Sequence, residues 1–371
     1  MDFSLKLLDI LIIAGIVQGI FLAFTLPRVA TTNKEAMRIL VYLILIASLM
    51  LIGRLWMLSF LTKWTFQYSL FFDSTLFLFG PLLLVYINRY LQDEQFSLSF
   101  AHYLPGILFS VISIYHFVRY TPDSYYEIYL QGSLNSFFLV SVLAAIISNC
   151  YYLLRSIRVV LNFNKQSKKY FSFDQSPGKY LSFFLIIISS IVLAWILGFI
   201  NSNVFGKTIA ILSYDWIWVM IPVFIYGIGY FSLKQQEIFR IKSATIDPLL
   251  RKDRLSNEDS KELQLKLNSL MEDDKIYMNN RLTLNDVAKA LETSVNNVSW
   301  LLNNKYQTTF YDLINEYRVN EFVDKIENKE HIGKTILALS MEVGFNSKST
   351  FNKAFKEKMN DTPRNFINQV H

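Results

Sequence analysis

Seven long apolar runs fill the first part of the chain, and short amphipathic runs at helical spacing fill the remainder. The apolar runs lie at about Leu7–Leu26, Ile39–Leu61, Tyr68–Tyr86, Tyr103–Val118, Leu134–Leu154, Tyr180–Ile200 and Ile209–Phe231, each bounded by a charge, a proline or a polar turn. A helix needs roughly 20 apolar residues to cross about 30 Å of hydrocarbon, because no water is present there to satisfy a backbone N–H or C=O. The pattern therefore predicts an all-α chain that opens with a polytopic seven-helix membrane domain, a candidate sensor, over residues 1–232. A cleavable signal peptide is the competing reading of the first run. Against it, the run is long, Asp2 and Asp9 precede or open it, and no small-residue cleavage site follows.

Beyond residue 232 the pattern changes. The stretch 233–255 reads as a linker whose helix Pro248 breaks. Ser256 with Asp259 then resembles a helix cap ahead of Leu263, Leu267 and Leu270. Thr283 caps a short helix with Leu284, Val287, Ala288 and Leu291 on one face, and a turn at Glu292-Thr293 leads to a helix beginning at Ser294. The arrangement recurs: Ile336, Leu339, Ser340 and Val343 precede Gly344, and a helix starts at Ser347, which lies 53 residues after Ser294. A long helix from Phe310, with Phe310, Leu313, Ile314, Tyr317 and Phe322 inward, separates the two helix-turn-helix units.

In the second unit Phe351 and Phe355 share the packing face, whereas Lys348, Ser349, Asn352, Lys353 and Lys356 fall on the other, which suits a major groove. The run Gly344, Phe345, Ser347, Phe351, Phe355, Lys356, Thr362, Pro363 resembles the DNA-binding domain of the AraC family of transcription regulators. The long helix is similar to that family's connecting helix at Asn315, Tyr317, Arg318 and Val319. Departures are Ser340 and Phe322, where the family often has Ala, and Glu292 in place of the usual turn glycine. The resemblance covers residues 256–371 and implies a tandem helix-turn-helix domain that folds alone and acts on promoter DNA with RNA polymerase as a partner. Gly80-Pro81 with Tyr86, and His102 with Pro105, are similar to features of membrane-embedded AraC-type regulators of Bacteroidetes-like bacteria.

Asparagine and lysine can read base edges, so Asn296, Asn297, Asn352 and Lys353 are the expected base contacts. Lys348 and Lys356 suit phosphates, and Ser299 and Ser349 share the outward faces. Trp300 stands where the family often has a basic residue, either stacking on sugars and methyls or packing on the connecting helix. Arg318 is read as structural.

Charge sharpens this division. Apolar residues make up 52% of the 371, aromatic 16% and charged 18%, and most of the charge lies in the last third. Net charge there is about balanced, so a DNA face must be local, and binding is expected to depend on a homodimer. With the C-terminus inside, the inner segments hold ten Lys and Arg against four outside (Lys6, Lys63, Arg119, Lys207). That bias predicts a multi-pass protein of the cytoplasmic membrane, N-terminus out and C-terminus in the cytoplasm. The basic loop Ser156–Lys179 is read as ordinary for the inner face of a lipid bilayer.

Arg54, Asp73, His102 and Asp215 are candidate sensing residues, since ionisable groups within a bilayer are costly without a partner or a cavity. Arg54 and Asp73, in neighbouring runs, are placed to pair. Cys150 is the only cysteine, so neither a disulfide within the chain nor a cysteine-based metal site is available. No phosphate-binding loop, kinase core or nucleophile elbow is present, and no cofactor, metal or enzymatic activity is implied. The expected function is a one-component sensor that answers a small-molecule or membrane signal by changing DNA binding. A transporter or lipid-processing enzyme with a DNA-binding tail is the alternative. Neither an internal transporter repeat nor a catalytic pair supports it.

Overall fold

The computed structural model describes residues 7–29, 34–59, 63–91, 95–173, 176–203, 205, 209, 212–234 and 257–370. The expected linker 233–255 and the Ser256 cap fall almost wholly outside them. Every named element is a helix, and the chain divides into two compact units, 1–161 with 179–245 and 162–178 with 246–371. Beyond the expected domain, the second unit takes in the segment Asn162–Gly178.

The first unit holds α1 (Leu7–Val29), α2 (Lys34–Ser59), α3 (Lys63–Asp73), α4 (Leu76–Leu91), α5 (Leu104–Arg119), α6 (Pro122–Leu130), α7 (Asn135–Ser167, whose end enters the second unit), α8 (Ser176–Asn203) and α9 (Asp215–Lys234). Among the described residues six stretches are long and apolar enough to cross a membrane; the seventh expected run corresponds to α9, whose apolar part, Asp215–Phe231, is shorter. The outward residues of α1 include Ile10, Val17, Phe21 and Phe24, all exposed, as expected of a helix solvated by lipid. Its inward face packs on α2 and α9. A Cβ at Gly19 would lie 2.1 Å from Ser48 Oγ of α2, so the missing side chain is what lets the helices approach.

Two local features differ from the expectation. The third run is not one continuous helix, because α3 and α4 part at Ser74-Thr75. There Ser74 Oγ donates to Phe71 O (2.7 Å) and Thr75 Oγ1 to Phe72 O (2.6 Å), while Asn149 Nδ2 donates to Leu76 O (2.9 Å). Hydroxyl and amide groups thus meet carbonyls that lipid could not. The segment Thr121–Gln131, which the apolar pattern leaves as the connection between the fourth and fifth runs, contains α6: Thr121 caps it, Pro122 opens it, and Tyr125 is fully buried.

The second unit holds α10 (Asn257–Glu272), α11 (Leu284–Ala290), α12 (Val295–Leu301), α13 (Phe310–Glu327), α14 (Ile336–Glu342), α15 (Lys348–Met359) and α16 (Pro363–Val370). Its apolar residues form two cores. Leu267, Leu284, Val287, Val298 and Leu301 pack with Phe310 and Ile314 from the start of α13. Leu339, Val343, Phe345, Phe351 and Phe355 pack with Val319, Phe322 and Ile326 from its later turns. One continuous helix therefore supplies both cores and holds the two helix-turn-helix units in a fixed relation.

Candidate functional site

The helix starts follow from local chemistry. Thr283 Oγ1 accepts from Asp286 N, and the Asp286 carboxylate accepts from Thr283 N (2.9 Å), a reciprocal capping box. Ser294 Oγ accepts from Asn297 N (3.2 Å), Thr335 Oγ1 from Ala338 N (3.1 Å) and Ser347 Oγ from Thr350 N (3.2 Å). Each unit is thus a capped helix, a turn and a second capped helix. The turns use different residues. Gly344 has φ +100°, and a Cβ there would lie 2.6 Å from Tyr277 O and 2.8 Å from Met278 O. Glu292 holds φ at 51°, inside the left-handed region that a non-glycine residue tolerates. The glycine missing from the first turn is therefore dispensable there, whereas Gly344 is required by a close backbone approach.

On α15, Lys348, Ser349, Asn352, Lys353 and Lys356 are all exposed, and Phe351, Ala354 and Phe355 are buried. Among the described residues neither Lys348 nor Lys356 is ion-paired; Lys353 lies 4.0 Å from Glu357, and Lys358 contacts Glu316. The first recognition helix, α12, is less open. Asn296, Asn297, Ser299 and Trp300 are all half-buried. Asn297 Nδ2 donates to Thr293 Oγ1 (2.9 Å), Ser299 Oγ accepts weakly from Asn303 Nδ2 (3.4 Å), and Asn296 Oδ1 is buried without a partner. A π turn at Leu302–Tyr306 continues α12 and leaves Lys305 exposed, a cation that periodicity had not singled out.

Arg318 is fully buried at the junction of the two cores. Its Nε donates to Tyr277 O (2.7 Å), Nη1 to Ser172 O (3.0 Å) and Asn315 Oδ1 (3.2 Å), and Nη2 to Asn279 O (2.8 Å) and Ser172 Oγ (3.1 Å). Its guanidinium also lies 5.7 Å from the centre of the Phe345 ring. Burial pulls the group down to about 10, far enough above neutrality to keep it charged. All five donors are used within the chain, so Arg318 is structural and offers nothing to DNA. Beside it, Glu321 accepts from Lys275 Nζ (2.9 Å) and Tyr277 Oη (2.8 Å). Burial pushes the Glu321 carboxyl up, but those two hydrogen bonds, with the charges of Lys275 and Lys325, outweigh it and hold the group below its ordinary value.

Residues 287–369 match the family model described as a helix-turn-helix domain. This part of the chain is an AraC-type helix-turn-helix domain. No curated protein and no solved structure matches the chain. The matched residues begin within α11 and take in α12, α13 and the second capped helix pair.

The candidate residues of the first unit separate. Arg54 does not pair with Asp73: its Nη2 lies 3.3 Å from Asp215 Oδ1, and its guanidinium sits 5.4 Å from the Trp218 ring. Asp215 and Trp218, three residues apart on α9, share one helix face and hold the cation between them. Among the described residues the Asp73 carboxylate has neither a hydrogen bond nor an ion pair. Arg54 and Asp73 both line a cavity of about 830 Å³ walled by aromatic residues such as Phe66, Phe138, Trp195 and Trp218. His102 stands apart from it, with Nδ1 2.8 Å from Tyr152 Oη. Sequence periodicity had also missed Ser172. Its signal was the run Lys-Lys-Tyr-Phe-Ser-Phe over 168–173, which places aromatic residues in a loop that was read as ordinary and basic.

Proposed function

We propose that the chain is a membrane-bound, one-component transcription regulator, in which the apolar unit detects a signal and the AraC-type domain binds promoter DNA, with no phosphotransfer between them. The observation that carries this reading is the presence, on one chain, of a tandem helix-turn-helix domain and, among the described residues, of six helical stretches long and apolar enough to cross a membrane. Asn352 and Lys353 are the proposed base readers on α15, with Lys348 and Lys356 on phosphates. Asn296, Asn297, Ser299 and Trp300 form the smaller contact from α12.

Sensing is supported by the cavity around Asp73. An ionisable group without a partner is costly inside a bilayer, and one that faces a cavity is by default a candidate ligand contact. The cavity volume falls within the ~300–1,000 Å³ usual for small-molecule sites. The lysine and arginine bias supports a cytoplasmic C-terminus, which DNA binding requires. A homodimer on adjacent sites supplies the affinity that a domain of balanced charge lacks.

A genome-wide map of DNA cross-linked to the full chain tests the reading. Enrichment of a few promoters sharing one sequence is expected, together with cytoplasmic activity of a reporter enzyme fused after His371. A chain recovered with no preferred DNA, or a reporter active only outside, would overturn it.

A further inference from the structure

The segment Lys168–Ser172 is bound into the DNA-binding unit by its backbone. The amide of Tyr311 donates to Lys168 O (2.9 Å), that of Leu284 to Tyr170 O (2.8 Å), and that of Ser172 to Leu282 O (3.3 Å). Phe171 and Thr283 form an antiparallel bridge, and Ser172 Oγ donates to Leu282 O (2.7 Å) while accepting from Arg318. Two of these ties have a particular meaning. Leu284 is the first residue of α11 and Tyr311 the second of α13, and amides in the first turn of a helix have no partner within it. The segment thus supplies acceptors for the starts of both helices, and its Ser172 takes two of the five hydrogen bonds of the buried Arg318. Tyr170 packs against the first core, and Lys168 Nζ lies 4.9 Å from the centre of the Tyr311 ring.

Along the chain this same segment joins α7 to α8, and both are long and apolar enough to cross a membrane. We propose that the surface made by Leu282–Leu284, the start of α13 and Arg318 is a docking site for Lys168–Ser172, and that docking there transmits the state of the apolar unit to the recognition helices. The mechanism rests on the proposed sensor function. A shift at the ends of α7 and α8 loads or releases the bridge at Phe171, and Arg318 passes the change to α13, which supplies both cores.

The test uses the full chain in lipid nanodiscs with Cys150→Ser, so that only introduced thiols react. The pair Phe171→Cys and Thr283→Cys stands at an antiparallel bridge, where Cα atoms lie about 4.5–5.5 Å apart, a spacing that accepts a disulfide. Mild oxidation should close an intrachain bond in most molecules, and Arg318→Met should slow closure at least tenfold. Failure to close would overturn docking. Since Thr283 is also a helix cap, a second variant carries Phe171→Cys alone and is alkylated with a bulky maleimide, with and without DNA recovered from the genome-wide map. Coupling is reciprocal, so DNA that favours the docked state must also protect the cysteine, and alkylation should slow at least fivefold. Equal rates in the presence of bound DNA would reduce the segment to a structural brace and overturn the transmission. A chain that closes the disulfide yet binds no DNA would instead overturn the proposed function, and transmission with it, while leaving docking intact.

Discussion

Replacing Lys348 and Lys356 together by alanine should change how DNA binding responds to salt more than it changes which DNA is chosen. Both lysines are exposed on α15 and, among the described residues, free of ion pairs, so their whole charge is available to phosphate. Each phosphate contact releases condensed counterions and contributes about 0.9 to the slope of log affinity against log salt. Over a fourfold rise in salt, from 50 to 200 mM, that is about 3.5-fold in affinity per contact and about 12-fold for two. The double variant should therefore lose about 12-fold less affinity than the unaltered chain across that range, while ranking DNA sequences in the same order. Asn352→Ala should do the reverse, keeping the slope and losing roughly 1–3 kcal/mol of discrimination at one base pair. Lys353→Ala should fall between the two, since its pair with Glu357 at 4.0 Å is exposed and weak. Fluorescence anisotropy with full chain in nanodiscs, titrated at several salt concentrations on cognate and scrambled DNA, measures both quantities. Parallel salt slopes for the double variant and the unaltered chain would refute the assigned orientation of α15.

Three further outcomes follow from the second unit. Gly344→Ala must bring a Cβ to 2.6 Å from Tyr277 O at φ +100°, and should cost roughly 2–4 kcal/mol, whereas Glu292→Gly should shift stability by no more than about 1 kcal/mol; chemical unfolding compares them. A fragment of 257–371 alone leaves the Leu284 and Tyr311 amides and two Arg318 hydrogen bonds unmet, so covalently adding 162–178 through a flexible link should raise its unfolding midpoint, and an unchanged midpoint would count against the Ser172 contacts. In that linked fragment the depressed Glu321 carboxyl stabilises the fold fully above its unfolded value, about 4.3, and that contribution is lost as pH falls through the lower folded value. Glu321→Gln should therefore flatten the loss of stability below about pH 5, seen by unfolding the fragment at a series of pH values.

Local chemistry determined much of this protein. Apolar runs of spanning length, the caps at Thr283, Ser294, Thr335 and Ser347, and the repeat of two helix pairs all depend on residues within a few turns of one another, where spacing alone decides which groups meet. The outward face of α15 was legible for the same reason, since a helix with Phe351 and Phe355 inward has only one other side. The partner of Arg54 was not, because Asp215 lies 161 residues away and only packing brings α2 and α9 together. Nor was the break at Ser74-Thr75, where an apolar run continues but side-chain groups, one of them Asn149 on another helix, satisfy the carbonyls. Arg318 marks the boundary most clearly. Its place on the connecting helix follows from the family pattern, but its partner Ser172 comes from 146 residues earlier. A buried cation must find acceptors wherever the fold supplies them, and helical period carries no record of a segment arriving from another part of the chain.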